Sequence, residues 1–315
     1  MISLYAGIGA FWQSLKEAFV VDLPIGEGFT AVVDFMQTHF DLFFTAIADA
    51  ISFVADNLTA FFNYLPPQLV FGVLAVLALW RVGWQFALFV LLGLYVVMGM
   101  DLWPESMDTL GLVIAATLAA LGVGLPLGVA MAKSDLLAAL VRPVLDFMQT
   151  LPAFVYLIPA VIFFGTGRVP GTIATVIFSM PPAVRMMNLG IRQVPAENVE
   201  AGRAFGCNPL QLLFKVELPL ALPSIMAGIN QTIMLALSMV VIASMIGAGG
   251  LGDPVLAGIQ QLRLGTGFEG GLGVVILAII LDRLTQSFAQ RSRHRTGIGT
   301  RIKQLFARGE GVRAD

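Results

Sequence analysis

Cysteine occurs once in this 315-residue chain, histidine twice, and charged residues make up only 12% of it. Each scarcity removes a class of protein. A lone thiol, Cys207, excludes an intramolecular disulfide framework and a thiolate zinc centre. His39 and His294 stand apart from any spaced acids or thiols, so no metal site is expected. Soluble domains carry about 25% charged residues. A chain with 12%, 57% apolar residues and a mean hydropathy of +0.86 is expected to be an integral membrane protein. The opening residues lack a basic region, a compact apolar segment and a small-residue cleavage site, so insertion is expected to rest on the mature spans. A phosphate loop is also missing: Gly128 to Ser134 reads GVAMAKS, with Ala132 where the second glycine belongs. Gly247 to Gly252 spells G-x-G-x-x-G, but it follows an apolar span rather than a strand, and is read as an outer-leaflet hinge or loop.

What charge there is lies unevenly. The first 66 residues hold seven acids against one base, Lys16, whereas the tail from Arg291 onward holds seven bases against two acids. The tail is read as a solvated end, with contact to lipid headgroups as the lesser alternative. Nothing beside it supplies a base-reading fold, so no nucleic-acid partner is expected. Between Glu27 and Asn63 the polar positions Glu27, Asp34, Asp41, Asp49, Asp56 and Asn63 recur at intervals of 7 or 8, two turns of a helix. With Phe29, Val33, Phe40, Phe44, Ile47, Ile51, Val54 and Phe61 on the remaining surface, residues 1 to 66 are expected to form an extracytoplasmic or interfacial amphipathic helical segment, in contact with lipid or other spans.

Pro66-Pro67 ends that segment. From Gln68 to Met100 the chain is apolar except at Arg81-Val82-Gly83-Trp84. One helix of that length would reach about 50 Å, too long for a membrane core of about 30 Å, so residues 67 to 105 are expected to be a two-span hairpin. Five further spans are read at Thr109 to Ala132, Phe147 to Phe164, Gly171 to Met187, Leu222 to Ile246 and Leu272 to Phe288, forming a core over residues 106 to 288. With the N-terminus outside and the C-terminus and residues 289 to 315 in the cytosol, fifteen of the eighteen Lys and Arg fall on the cytosolic side, as the positive-inside rule requires. The fold class expected is an all-α polytopic membrane protein.

The longest cytosolic insertion, residues 193 to 221, contains Glu200 to Pro219, reading EAGRAFGCNPLQLLFKVELP. This stretch resembles the coupling loop of ABC importer permeases, whose pattern is E-A-A, three residues, G, nine residues, I-x-L-P. Glu200, Ala201, Gly206, Leu218 and Pro219 fall in register, while Gly202 stands for the second Ala and Val216 for Ile. The segments LDFMQTLPAFVYLIP (Leu145 to Pro159), MPPAVRMMNLGIRQVP (Met180 to Pro195) and INQTIMLALSMVVIASMIGAGGLG (Ile229 to Gly252) resemble the permease subunit of importers for glycine betaine, proline betaine and related compatible solutes.

The resemblance implies a type I ABC importer (MetI-like) core, with the N-terminal amphipathic helix and two extra spans added to it, in a bacterial inner membrane. It implies a homodimer, two copies of a separate cytosolic ATPase that carries the ATP and Mg, and an extracytoplasmic substrate-binding protein. This chain would then be a transport subunit with no cofactor or catalytic residue of its own. Glu200 to Pro219 would dock on the ATPase, with Gly206 at the turn that lets the helix pack closely. The solute would be glycine betaine, proline betaine, choline, carnitine or trimethylamine N-oxide.

Polar and aromatic groups at membrane depth, Gln149, Thr150, Phe154, Tyr156, Asn230, Gln231, Ser238 and Ser244, are read as interhelical hydrogen-bond formers or as a translocation path. In the second reading Phe154 and Tyr156 offer cation-π faces to a quaternary amine. Asp146 is expected to pair with Arg142, and Arg185 and Arg192 to anchor the topology. Two rivals remain: an ion-coupled secondary transporter, disfavoured because the acids lie mostly at span edges, and a non-transporting membrane scaffold.

Overall fold

The computed structural model describes residues 25–290, and every regular element among them is helical. Lys16, Glu17, Asp22, His294 and the basic tail from Arg291 lie outside the described residues. The chain divides into two compact units, residues 1–45 and 46–315.

Helix α1, Ile25–Tyr64, begins in the first unit and carries one break in helical geometry, at Phe40 (φ −122°, ψ 20°). Within the first unit Glu27, Asp34 and Asp41 are exposed. The His39 ring stacks on Phe35 with centroids 4.2 Å apart, and its Nδ1 lies 3.0 Å from the Phe35 carbonyl oxygen. Residues Gly26–Tyr64 are long and apolar enough to cross a membrane, more than an interfacial helix requires.

In the second unit α2 (Pro67–Arg81) and α3 (Trp84–Gly99) form a hairpin of short apolar helices. Pro67 opens α2, where its missing N–H is no loss. Gly83 makes the turn with φ +137°, a backbone region that L side chains rarely enter. At 15 and 16 residues the two helices reach only about 23 Å each.

Helix α4 (Trp103–Lys133) is followed by α5 (Asp135–Thr150), a 3-10 turn (Ala153–Tyr156) and α6 (Leu157–Phe164). The single span expected from Phe147 to Phe164 is instead two helical pieces bent by 110°. Pro152 explains the break: its ring forces Leu151 into extended geometry (φ −68°, ψ 133°), which ends α5.

Helix α7 (Arg168–Arg192) leads into two short helices, α8 (Ala196–Ala204) and α9 (Pro209–Leu212), and a π-helical turn (Leu213–Glu217). Then come α10 (Leu218–Ala243), a 3-10 turn (Ser244–Ile246), α11 (Gly252–Gln260) and α12 (Leu264–Gln290). By length and composition four helical stretches among the described residues can cross a membrane, or five if the bent pair is counted as one span.

Without a hydrophobic drive between helices in lipid, close backbone approach at small residues does the packing. Gly124 and Gly128 of α4 lie against Met180, Val184 and Met187 of α7. Both numbers rise together, so these helices are parallel. Gly190 of α7 meets Ala221 and Ser224 of α10, and Gly228 meets Met186 and the Pro182 carbonyl, an antiparallel pairing. The α2–α3 hairpin packs on α12 through Ala78, Val90, Leu94, Leu277 and Ile280.

This order gives the second unit two distinct ends. One gathers Lys133, Asp135, Arg192, Glu217, Arg81 and Ser287 through contacts made across the chain. The other gathers Asp56, Asn63, Asp108, Thr109, Arg168 and Leu251.

Candidate functional site

The loop between α7 and α10 is built from its own backbone outward. Pro195 sits just before α8 in extended geometry (φ −56°, ψ 133°), and Glu197 in the first turn and Arg203 in the last oppose the helix dipole favourably. The helix closes in a Schellman motif: the Cys207 N–H donates to the Gly202 carbonyl at 3.1 Å and the Gly206 N–H to the Arg203 carbonyl at 2.9 Å. Gly206 occupies the left-handed position with φ +79°, and a Cβ added there would meet nothing within 4 Å. Its role is conformational.

Close packing falls instead on Gly202, the residue that departs from the E-A-A pattern. It is buried, and a Cβ on it would stand 2.7 Å from Leu212 Cδ1 and 3.4 Å from Val216 Cγ2. The variant glycine thus faces inward, toward the returning half of its own loop. That return is capped at Asn208, whose side chain accepts from the Gln211 N–H at 2.7 Å while the Gln211 side chain accepts from the Asn208 N–H at 3.0 Å. The N-x-x-Q spacing is the local signal for such a capping box.

Glu200, Ala201, Phe205, Leu210 and Phe214 are exposed on the loop, Phe205 at 90%. Leu218 is half-buried and Pro219 exposed at the start of α10.

Two charged contacts tie this loop to the helix ends. Glu217, its side chain only 6% exposed, pairs with Lys133 at the end of α4. No local pattern joins Lys133 and Glu217, which are 84 residues apart, so the pair is visible only in the fold. Arg192 is a hub: it pairs with Asp135 at 2.7 Å, donates to Asn188 Oδ1 at 2.9 Å and to the Met131 carbonyl at 2.8 Å. Asp146 pairs with Arg185 of α7 at 2.5 Å, not with Arg142 on its own helix, because α5 packs against α7 and brings the two side chains together. Arg142 is left exposed.

The residues read as a path fall into separate environments. Tyr156 is buried among Leu157, Ala160, Ala174 and Met239, its ring edge-on to Phe178 at 5.9 Å and its hydroxyl donating to the Met148 carbonyl. In this state its face is closed to a passing amine. Phe154, Gln149 and Thr150 are exposed at the bend, with Thr150 donating to the Phe147 carbonyl. Asn230 joins α10 to α12: its amide donates to Asp282 at 2.9 Å and its oxygen accepts from Thr285 at 2.6 Å. Ser244 is buried and donates to the Val241 carbonyl, whereas Gln231 and Ser238 lie exposed on one stripe of α10.

At the opposite end Gly247, Gly249 and Gly250 all have φ between +82° and +84°. The turn they make is held by the Leu251 N–H donating to Thr109 Oγ1 at 2.8 Å and the Gly167 N–H donating to the Ile246 carbonyl at 2.7 Å. Arg168 faces Asp108 and Asp56 at 3.5 Å each, and Asn63 donates to Asp108 at 2.7 Å, so two of the recurring polar positions on α1, Asp56 and Asn63, are engaged. Asp253, on the short α11, has its carboxyl held above the usual range by burial and then by the Glu105 and Asp108 charges.

Among the described residues, apolar helices pack closely at small residues, and the short polar helix α8 lies exposed near the end that holds Lys133, Arg192 and Glu217. The chain matches, over residues 124–294, the family described as binding-protein-dependent transport system inner membrane component. It is 50% identical to the glycine betaine/carnitine transport permease protein GbuB of Listeria monocytogenes, over 86% of this chain and 97% of that protein. It is 47% identical to the glycine betaine/proline betaine transport system permease protein ProW of Escherichia coli, over 87% of this chain and 77% of that protein. A solved structure of the MetNI methionine ABC transporter in inward facing conformations aligns with a TM-score of 0.56 over 62% of this chain and 97% of that one; at 21% identity the likeness speaks for the fold alone.

Proposed function

Because this chain belongs to the family of binding-protein-dependent transport system inner membrane components, and is a multi-pass permease subunit of an ABC importer, we propose that it imports a quaternary-amine compatible solute. Relatives named for glycine betaine, proline betaine and carnitine support that cargo class. ATP is hydrolysed by a separate cytosolic subunit, two copies of which serve a homodimer of this chain, and a binding protein delivers solute at the outer face. The end holding Lys133, Arg192 and the loop faces the cytosol, and the end holding Asp108, Arg168 and Gly247 faces outward. The excess of bases at the first end supports this orientation.

The observation that carries the reading is the exposed helix α8, closed by Gly206 and flanked by Phe205, Leu210 and Phe214. Closure of the ATPase pair on ATP pulls on this helix. Gly202 against Leu212 and Val216, and Glu217 against Lys133, pass the movement to α10 and α4. The core then alternates between inward and outward openings.

A photocrosslinker placed at Phe205 in the assembled transporter tests it. Capture of the ATPase subunit is expected; ATP-driven uptake with no such crosslink, while a crosslinker at Asp253 captures the ATPase, contradicts the orientation and the docking surface together. Cys207, half-buried in the loop, reports orientation independently through an impermeant maleimide applied to vesicles of either sidedness.

A further inference from the structure

Arg81 is the last residue of α2, and its guanidinium is pressed against the end of α12. Its Nη2 donates to the Ser287 carbonyl at 3.4 Å, its central carbon lies 3.9 Å from the Phe288 ring centroid, and it lies 5.4 Å from that of Trp80. Among the described residues it makes no ion pair, and Nε is buried without a hydrogen-bond partner. A guanidinium carries five donors and stays charged. One long bond and two aromatic faces leave most of that capacity unanswered in a half-buried setting.

The surroundings are also short of anions. Arg283 is exposed one turn before Ser287 on the same side of α12, again with no ion pair among the described residues. The neighbouring acid, Asp282, is taken up by the amides of Asn230 and Gln286 at 2.9 and 2.7 Å. Beyond Phe288 the sequence adds Arg291, Arg293 and Arg295. Two tryptophans flank the turn, Trp80 at 65% and Trp84 at 67% exposed, the residues that favour headgroup depth. Arg81, Arg283 a helical turn before Ser287, the two indoles and the exposed apolar sides of two short helices lie around this turn.

We infer that the α2–α3 turn and the end of α12 form a binding site for the phosphate diester of an anionic membrane phospholipid, held by Arg81 and Arg283 and bracketed by Trp80 and Trp84. The guanidinium fork suits paired phosphate oxygens, and the phosphate supplies the counterion that the protein does not. The lipid bridges the α2–α3 hairpin and the end of α12. The site rests on the proposed orientation only for which leaflet supplies the lipid.

The test uses the full chain, purified with its ATPase partner from membranes and exchanged into nanodiscs of phosphatidylcholine and phosphatidylglycerol at 3:1, then transferred to detergent for native mass spectrometry. Phosphatidylglycerol retained per chain is the readout. Arg81→Gln and Arg283→Gln should each weaken retention about fivefold and the double variant about 25-fold, with a basic side chain near the surface as the unit of attraction. Arg81→Lys should lie between wild type and Gln. Arg142→Gln, an exposed base elsewhere, should change nothing. If Arg81→Gln does not assemble, Arg283→Gln decides, since its side chain is exposed and makes no ion pair among the described residues. Retention unchanged in Arg283→Gln, lost equally in Arg142→Gln, or abolished by millimolar inorganic phosphate overturns the site, the last by making it a site for soluble phosphate. Retention in detergent does not depend on sidedness or transport, so it fails or succeeds separately from the importer reading.

Discussion

Replacing Gly206 separates a conformational role from a packing role, because its φ of +79° is unfavourable for L side chains while the space around it is empty. An L residue in the left-handed region costs roughly 1–2 kcal/mol, with Asn the best tolerated and β-branched residues the worst. Gly206→Asn should therefore be nearly silent, Gly206→Ala intermediate, and Gly206→Val should cost about 2 kcal/mol or more. The penalty falls on a nine-residue helix held at its end by two hydrogen bonds, from Cys207 and Gly206. It should appear as local opening rather than loss of the spans. Hydrogen exchange of the Gly206 and Cys207 amides is the assay, and 1–2 kcal/mol corresponds to roughly 5- to 30-fold faster opening. Uptake per ATP hydrolysed should fall in the same order, Asn, Ala, Val, with the melting of the whole transporter little changed. Equal behaviour of Asn and Val, or faster exchange in Asn, would refute the assignment of Gly206 as the left-handed terminator.

Gly202→Ala should be mild, within about 1 kcal/mol, because the atom it meets is the mobile end of Leu212, whereas Gly202→Leu should overpack the loop by about 1–3 kcal/mol and reduce uptake per ATP; thermal melting and coupled uptake check both. Lys133→Ala leaves the buried Glu217 carboxylate without its cation and should destabilise by about 1–3 kcal/mol, less than a fully buried pair because Lys133 is half-exposed; Lys133→Met with Glu217→Gln should recover much of it. Asp253, whose folded carboxyl titrates above its unfolded value, binds more protons folded than unfolded between those two values. Stability should therefore fall as pH rises from about 4 through the raised value and level off above it, and Asp253→Asn should flatten that limb in melting curves. Tyr156→Phe removes the hydroxyl bond to the Met148 carbonyl and should lower stability by about 1 kcal/mol while leaving solute preference unchanged, as measured by competitive uptake.

The parts of the molecule set by local pattern were legible in the sequence. The Arg81-Val-Gly-Trp84 break gave the hairpin, and the polar insert from Ala196 onward coincides with α8 in the structure. Pro152 also carried a readable signal, but the apolar run through it masked the 110° bend. What the sequence did not disclose depends on contacts between distant segments. Asp146 has bases four residues before it and 39 after it, and only the folded geometry selects Arg185. Polar residues such as Tyr156 and Asn230 read alike as path or as packing until their partners, Met148 and Asp282, are placed. Gly202 looked like a deviation from a pattern, and its inward contact with Leu212 explains why a residue without a side chain fits there.

Uptake by proteoliposomes holding this chain, its ATPase and the binding protein tests the central claim most directly. With the binding protein outside and ATP enclosed, labelled glycine betaine should accumulate, stop when ATP is removed or the ATPase omitted, and ignore imposed proton or sodium gradients. Accumulation that survives without the ATPase and follows an ion gradient would contradict the account.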